Sequence, residues 1–329
     1  MTEAWRSDKG PHGDAAFPRT WHRLWVRAPR ALALLPLLAL VATGCPAQSS
    51  GPPPNETALH PGARVTPVRL ADSDALTGTS GLDLRGPGEV WMAPERTGHL
   101  VALTLKGASL TQVRDRRIDG IPEGADVEAL AFVPGTEGRV LLGTEAKGAR
   151  AQDPILVATL EEERVHVTGA LVFDYAPFGV VAEDNQGIEG LCAGEGFAVA
   201  ASEAIVETSG RRFACVGRFD LPDGAMNPYR VRLASRRGKL SALTCRARDE
   251  GIEVFAIERH FGTMRLVRFL LGPEPDVSAE LVKDLAPALG PEPPNVEGLA
   301  WLDDARLLLV TDNHYRVKTG PTRAFIVEL

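Results

Sequence analysis

Acidic and hydroxyl side chains recur in this sequence at a spacing that would gather them. Glu128, Glu189 and Glu297, with Ser80 and Ser241 in the equivalent places, each open a short apolar run. Glu95, Glu145, Glu203, Glu258 and Asp312 each close the run that follows. Carboxylates collected in this number repel one another, and leaving them unpaired would cost several kcal/mol. Three arrangements offset that repulsion. A hard cation such as Ca²⁺ would take about six to eight oxygen ligands. Internal cations would do the same, and Arg96, Lys147 and Arg259 follow three of the acids. Alternatively, each carboxylate accepts backbone N–H bonds and pins neighbouring elements together.

Two polar stretches carry further chemistry. Asp184, Asn185, Gln186 and Gly187 lead into Ile188 and Glu189, an unusually polar entry to an apolar run. Thr311-Asp312-Asn313-His314-Tyr315-Arg316 puts a carboxylate, an amide, an imidazole and a guanidinium in one loop. There His314 and Arg316 could hold a phosphate while Asp312 takes a metal. The same Asp-Asn pair also forms an Asx-type turn at a strand end. Arg259 and His260, directly after Glu258, mirror this cation and imidazole one repeat earlier, and join the candidate phosphate ligands. No G-x-S-x-G elbow, phosphate-cradling G-x-x-x-x-G-K-[ST] loop or G-x-G-x-x-G turn is present. Catalytic residues are therefore unassigned.

The elements that must position these residues follow a repeat. Segments 79–95, 126–145, 187–203, 239–258 and 295–312 each read as an apolar strand, a turn with Gly or Asp, and a second strand. Third runs follow at 99–105, 154–160, 211–219, 264–271 and 323–329, and fourth runs follow in four cases. The last unit lacks a fourth run, while ARVTPVRLA (63–71) is an unassigned strand at the start. The pattern predicts an all-β chain, a single β-propeller of five four-stranded blades, the last closed by the N-terminal strand. A sixth blade within a long loop and two separate β-sandwiches are the alternatives. Only 276–289 could hold a helical turn. In such a ring the openings and closings of the runs return to one rim, so an acidic crown faces a central channel.

The N-terminus sets the address. Six basic residues precede ALALLPLLALV (31–41), and Ala42, Thr43 and Gly44 lead to Cys45. A positive stretch, a short apolar core and small residues describe a secretory signal. The apolar run falls short of the roughly 20 residues that span a bilayer. Thr43-Gly44-Cys45 resembles the lipobox of bacterial lipoproteins, with Ala42 where leucine is usual. The resemblance implies a signal peptide over 1–44 and acylation of Cys45. Pro46 stands where aspartate would mark inner-membrane retention, which implies an outer-membrane anchor facing the periplasm. Residues 45–63 are the lipidated cysteine and a Pro/Ser/Gly-rich tether, leaving 64–329 for the propeller. Cys192, Cys215 and Cys245 remain, allowing one disulfide, although buried packing is the expected role. The chain has 36 basic and 43 acidic residues, of which six and three precede Cys45, so the exported part is strongly acidic. Nucleic acid is excluded as a partner on that charge.

Asn185-Gln186-Gly187-Ile188-Glu189-Gly190-Leu191 and Asn295-Val296-Glu297-Gly298-Leu299-Ala300, each followed by a strand ending in Ser-Glu or Thr-Asp-Asn, resemble the esterase-like phytase family of propellers. Related bacterial lipoprotein propellers of unknown function carry the same element. The resemblance implies the fold and, by the family's name, metal-dependent phosphoric ester hydrolysis on a carboxylate-rich face. Ser80 and Ser241 depart from it by replacing glutamate. Two functions are thus expected: a module binding a small molecule or periplasmic protein through its acidic face, or a divalent-cation-dependent phosphoesterase there, with Ca²⁺ as the candidate cofactor. The membrane contact is the lipid anchor. Cys45→Ser is expected to move the protein from the membrane to the soluble fraction on cell fractionation; unchanged membrane association would refute the anchor.

Overall fold

Short β-branched and aliphatic runs separated by Gly- and Asp-bearing turns leave this chain little option but sheet. The computed structural model describes residues 57–71, 73–260, 262–290, 294–313 and 320–329. Cys45 and the signal segment lie outside the described residues, as do His314 and Arg316. Among the described residues no helix is long and apolar enough to cross a membrane.

Strand β1 (Arg64–Leu70) precedes five sets. The first is β2 (Thr79–Gly86), β3 (Glu89–Pro94), β4 (His99–Lys106) and β5 (Ser109–Asp119). The second is β6 (Asp126–Phe132), β7 (Arg139–Glu145), β8 (Gln152–Leu160) and β9 (Arg164–Asp174). The third is β10 (Ile188–Gly194), β11 (Phe197–Thr208), β12 (Arg211–Asp220) and β13 (Ala225–Arg232). The fourth has β14 (Lys239–Arg248), β15 (Gly251–His260) and β16 (Thr263–Leu271), followed by β17 (Asp276–Ser278) and β18 (Glu280–Asp284). One helical turn, α1 (Ala286–Leu289), falls inside the stretch expected to hold it. The last set is β19 (Asn295–Trp301), β20 (Arg306–Asp312) and β21 (Ala324–Glu328).

Within each set, successive strands pair antiparallel. The last set takes its fourth strand from the other end of the chain. β1 pairs antiparallel with β21, Arg64 opposite Glu328, and the two side chains meet at 2.7 Å. Two short strands stand where the fourth set's single fourth run was expected. β18 pairs with β16, whereas β17 pairs parallel with β13 of the preceding set. Arg230 meets Asp276 there through a two-pronged contact of 2.6 and 2.7 Å.

The first strands of the sets pack in order, β2 on β6, β6 on β10, β10 on β14 and β14 on β19, and β19 lies back against β2. Five apolar clusters fill the spaces between consecutive sheets, the last against the first included. Trp91 and Phe132 meet edge-to-face between the first and second sets; Phe173, Tyr175 and Phe219 sit between the second and third. The N-terminal lead is also fastened: the Leu59 and His60 amides donate to the Leu281 and Val282 carbonyls of β18 at 2.9 and 3.0 Å. Leu59 and His60, expected to belong to the tether, are thus fastened to β18.

Cys192 of β10 is bonded to Cys245 of β14, which joins the first strands of two sets. Cys215 is left as a buried free thiol whose pKa burial pushes up to about 12. The bridge closes a loop of 53 residues, for which chain entropy gives about 4 kcal/mol. Cys192→Ser/Cys245→Ser should melt roughly 10 °C below the wild type. An unchanged melting temperature, with three alkylatable thiols in the unfolded mature wild type, would show that the bridge does not form.

Candidate functional site

Each of the five positions Ser80, Glu128, Glu189, Ser241 and Glu297 is the extra residue of a β-bulge. Thr79 faces Pro94 and Gly81 faces Ala93, so Ser80 has no partner across the pair. The same register shift skips Glu128, Glu189, Ser241 and Glu297 in the other sets. A bulge frees one residue from the ladder and re-aims its side chain. These residues were expected to stand just ahead of their strands; they lie within them.

The residue after each bulge is small for a steric reason. A Cβ on Gly81 would come within 2.9 Å of the Leu130 amide nitrogen, and one on Gly298 within 2.6 Å of the Leu82 Cβ. Ala129 and Ala242 fill the same place. Next comes leucine in all five: Leu82, Leu130, Leu191, Leu243 and Leu299 line the axis with Glu189 and Glu297 around a void of about 10 Å³. That is room for about one water. The central channel expected from the repeat is closed by an apolar plug, with the polar residues above it.

In that layer Glu297 accepts from Ser80 Oγ at 3.2 Å and from Asn295 Nδ2 at 2.6 Å. Asn295 also reaches Asp312 Oδ2 at 3.3 Å. Arg259 bonds both Glu297 and Glu203, the latter at 3.3 Å, and Lys239 takes the other oxygen of Glu203. Burial opposes the charge on Arg259, but Glu297, Glu203, Glu189 and Asp312 outweigh it and raise its pKa. Ser241 turns away and donates to the Val296 carbonyl at 2.8 Å.

The carboxyls respond to this crowding. Burial, then Glu95, Glu297 and Glu145, hold the Glu128 carboxyl well above the usual range. Glu189 is raised likewise by burial and by Glu203, Glu128 and Glu297. Burial pushes Glu297 up to about 7 although Arg259 works against it. Burial also raises Glu145. Glu145 and Glu258 act as pins between sheets. Glu145 accepts from the Gly187 amide at 3.2 Å, and Glu258 from the Ala234 and Ser235 amides at 2.9 and 2.8 Å. Neither Glu203 nor Glu258 ends its strand as expected, since β11 and β15 run on past them.

On the other side of the mouth Glu95, Asp126 and Glu128 bring carboxylate oxygens within 4.8 Å of one another. Arg96 touches Glu95 at 3.4 Å and Asp126 at 3.5 Å from outside. Three carboxylates fit a hard divalent cation by donor type. Asp126 was missed in the sequence; its signal is the shared pattern Asp126-Val127-Glu128 and Asn295-Val296-Glu297. Lys147, expected to offset an acid, makes no ion pair among the described residues.

Two clefts open beside the mouth. One, of about 350 Å³, is walled by Glu95, Arg96, Arg117, Asp119 and Asp126. The other, of about 570 Å³, lies between the third and fourth sets and contains His260. Its loop 183–187 is held from behind by groups invisible in the sequence pattern. Tyr175 donates to Asp153 at 2.6 Å and meets Ser202 at 2.9 Å, while Arg150 pairs with Asp153 and donates to the Glu183 carbonyl.

Residues 63–315 match the phytase-like family, described by the esterase-like activity of phytase. The chain belongs to this family. Among solved structures, this phytase-like chain is similar to the PQQ-bound aldose sugar dehydrogenase of Streptomyces coelicolor, at 14% identity over 84% of this chain and 99% of that one, with a TM-score of 0.47. The apo aldose sugar dehydrogenase of Escherichia coli gives 9% identity over 81% and 99%, with a TM-score of 0.43. No curated protein matches the sequence.

The raised carboxyls carry a sign. Between about 4.5 and 7 the folded protein holds a proton on Glu297 that the unfolded chain has released, so stability falls as pH rises through that window. In chelator the melting temperature should be higher at pH 5 than at pH 8, and Glu297→Gln should reduce the difference. An identical pH slope in the variant would refute the assignment.

Proposed function

We propose that the five sheets are blades of one ring closed by β1, and that its mouth is a ligand-binding site organised by a divalent cation, with Ca²⁺ the preferred ion. The observation that carries this reading is the uneven placement of charge over the plug. Arg259 serves Glu203 and Glu297 on one side. On the other, Glu128 faces Glu95 and Glu145 with Asp126 beside it, and Arg96 reaches the cluster only from its rim. A cation among Glu95, Asp126 and Glu128 would relieve that repulsion and present open coordination positions to the 350 Å³ cleft. The ligand is a small polar molecule or an exposed segment of an envelope protein. The disulfide supports an oxidising compartment, in keeping with export and lipid anchoring at Cys45 on the periplasmic side of the outer membrane.

The family description favours a second reading, cation-dependent hydrolysis of phosphoric esters at the same mouth. A bound cation would polarise a phosphoryl oxygen and acidify a water. Arg96 and Arg117, in the same cleft, would orient the ester's remaining oxygens.

Millimolar CaCl₂ should raise the melting temperature of chelator-treated protein by several degrees, as binding at about a hundredfold above Kd adds roughly 2.7 kcal/mol. Glu128→Gln should abolish the rise. No shift, together with no metal in the purified protein, would end the cation reading. Calcium-dependent p-nitrophenyl phosphate hydrolysis that Glu128→Gln loses would select the enzyme; equal rates in both proteins would reject it.

A further inference from the structure

The 570 Å³ cleft departs from the acid-rich character of the chain, whose formal net charge is −7. One wall carries Arg212 from the start of β12, Arg237 and Lys239 from the turn into β14, and His260 from the end of β15. These groups converge. Burial lowers the pKa of His260, and Arg212, Lys239, Arg237 and Arg259 lower it further, so these neighbours disfavour the imidazolium. Lys239 is partly committed to Glu203. Arg212 meets Glu207 at 3.1 Å, but Glu207 is 71% exposed, and such a pair contributes little. Arg237 is exposed and makes no ion pair among the described residues.

The facing wall has the opposite chemistry. Glu183, Asp184, Asn185 and Gln186 offer carboxylate and amide oxygens. This wall is fixed in advance. Gln186 Oε1 accepts from the Glu183 amide at 3.1 Å, Asp184 accepts from the Gly148 amide, and Arg150 donates to the Gly148 and Glu183 carbonyls at 3.1 and 2.9 Å. Asn185 adopts a left-handed φ of 55° to make the turn, a conformation Asn tolerates. Such a wall accepts hydroxyl donors and repels a second anion. The volume suits a small molecule rather than a polymer.

We propose that this cleft binds a polyol carrying a single anionic group, phosphate or carboxylate. The anion sits on Arg212, Arg237, Lys239 and His260, and the hydroxyls donate to Glu183, Asp184 and Gln186. The site shares no residue with the Glu95, Asp126 and Glu128 cluster. It names a ligand class for the mouth read above as a binding face, yet it needs no cation.

Isothermal titration in EDTA tests this, so that failure of the cation reading leaves it untouched. The probes are sorbitol 6-phosphate, gluconate, sorbitol and inorganic phosphate. One or both polyol anions should bind, with sorbitol and inorganic phosphate at least about tenfold weaker. Arg237→Ala should weaken that binding about tenfold, the loss of a charge-assisted hydrogen bond, without altering the melting temperature. Arg212→Ala/Arg237→Ala should remove it. Equal affinity in wild type and the double variant, equal affinity for inorganic phosphate and sorbitol 6-phosphate, or no binding of either polyol anion at millimolar concentration would each overturn the proposal.

Discussion

Five first strands can meet at one axis only if each presents almost no side chain to its neighbour at the point of closest approach. Glycine or alanine at 81, 129, 190, 242 and 298 satisfies that condition, and the leucine that follows fills the space the approach leaves. The bulge immediately before is what makes both placements compatible with a regular ladder. Inserting one residue lets the strand resume its alternation with the small residue and the leucine correctly directed. The displaced residue is left above the plug. Ser80, Glu128, Glu189, Ser241 and Glu297 are thus together because the apolar packing below them forces the bulge.

That constraint explains why the polar layer is at once crowded and useful. Carboxyls buried beside one another hold protons at pH values where isolated ones would be ionised. The fold offsets part of the repulsion internally. Arg259 spans Glu203 and Glu297, Ser80 and Asn295 donate to Glu297, and backbone amides take Glu145 and Glu258. What is offset structurally also holds the sheets together, since Glu145 and Glu258 bond to connections between sheets and Ser241 bonds to a neighbouring sheet. Around Glu95, Asp126 and Glu128 part of the offset comes from Arg96 at the rim.

The two clefts share the mouth but arrange their charges differently: acids and arginines are mixed in the first, whereas the second sets a basic wall against an acidic and amide wall. The first is bordered by the ends of β3 and β5 and the start of β6, rich in acids. The second gathers the basic turn before β14 and the end of β15. The disulfide between β10 and β14 ties the inner edges of the sheets that flank the second cleft.

The repeat of acid or hydroxyl, small residue and leucine is a local pattern, so the strands, their order and the N-terminal strand's place beside β21 were legible from residues alone. The same repeat marked positions 80, 128, 189, 241 and 297, which the strand register skips. Three things were not legible. That the recurring trio of acid or hydroxyl, small residue and leucine marks a bulge was one, since the extra residue shows only in the register against the partner strand. The pairing of Cys192 with Cys245 over Cys215 depends on which strands face each other across two sets. The division of carboxylates between pins and open ligands depends on amides and cations more than 20 residues distant, as with Glu258 and Ala234 or Arg259 and Glu297. Sequence sets what each strand is; only closure in three dimensions decides which charges are left facing one another.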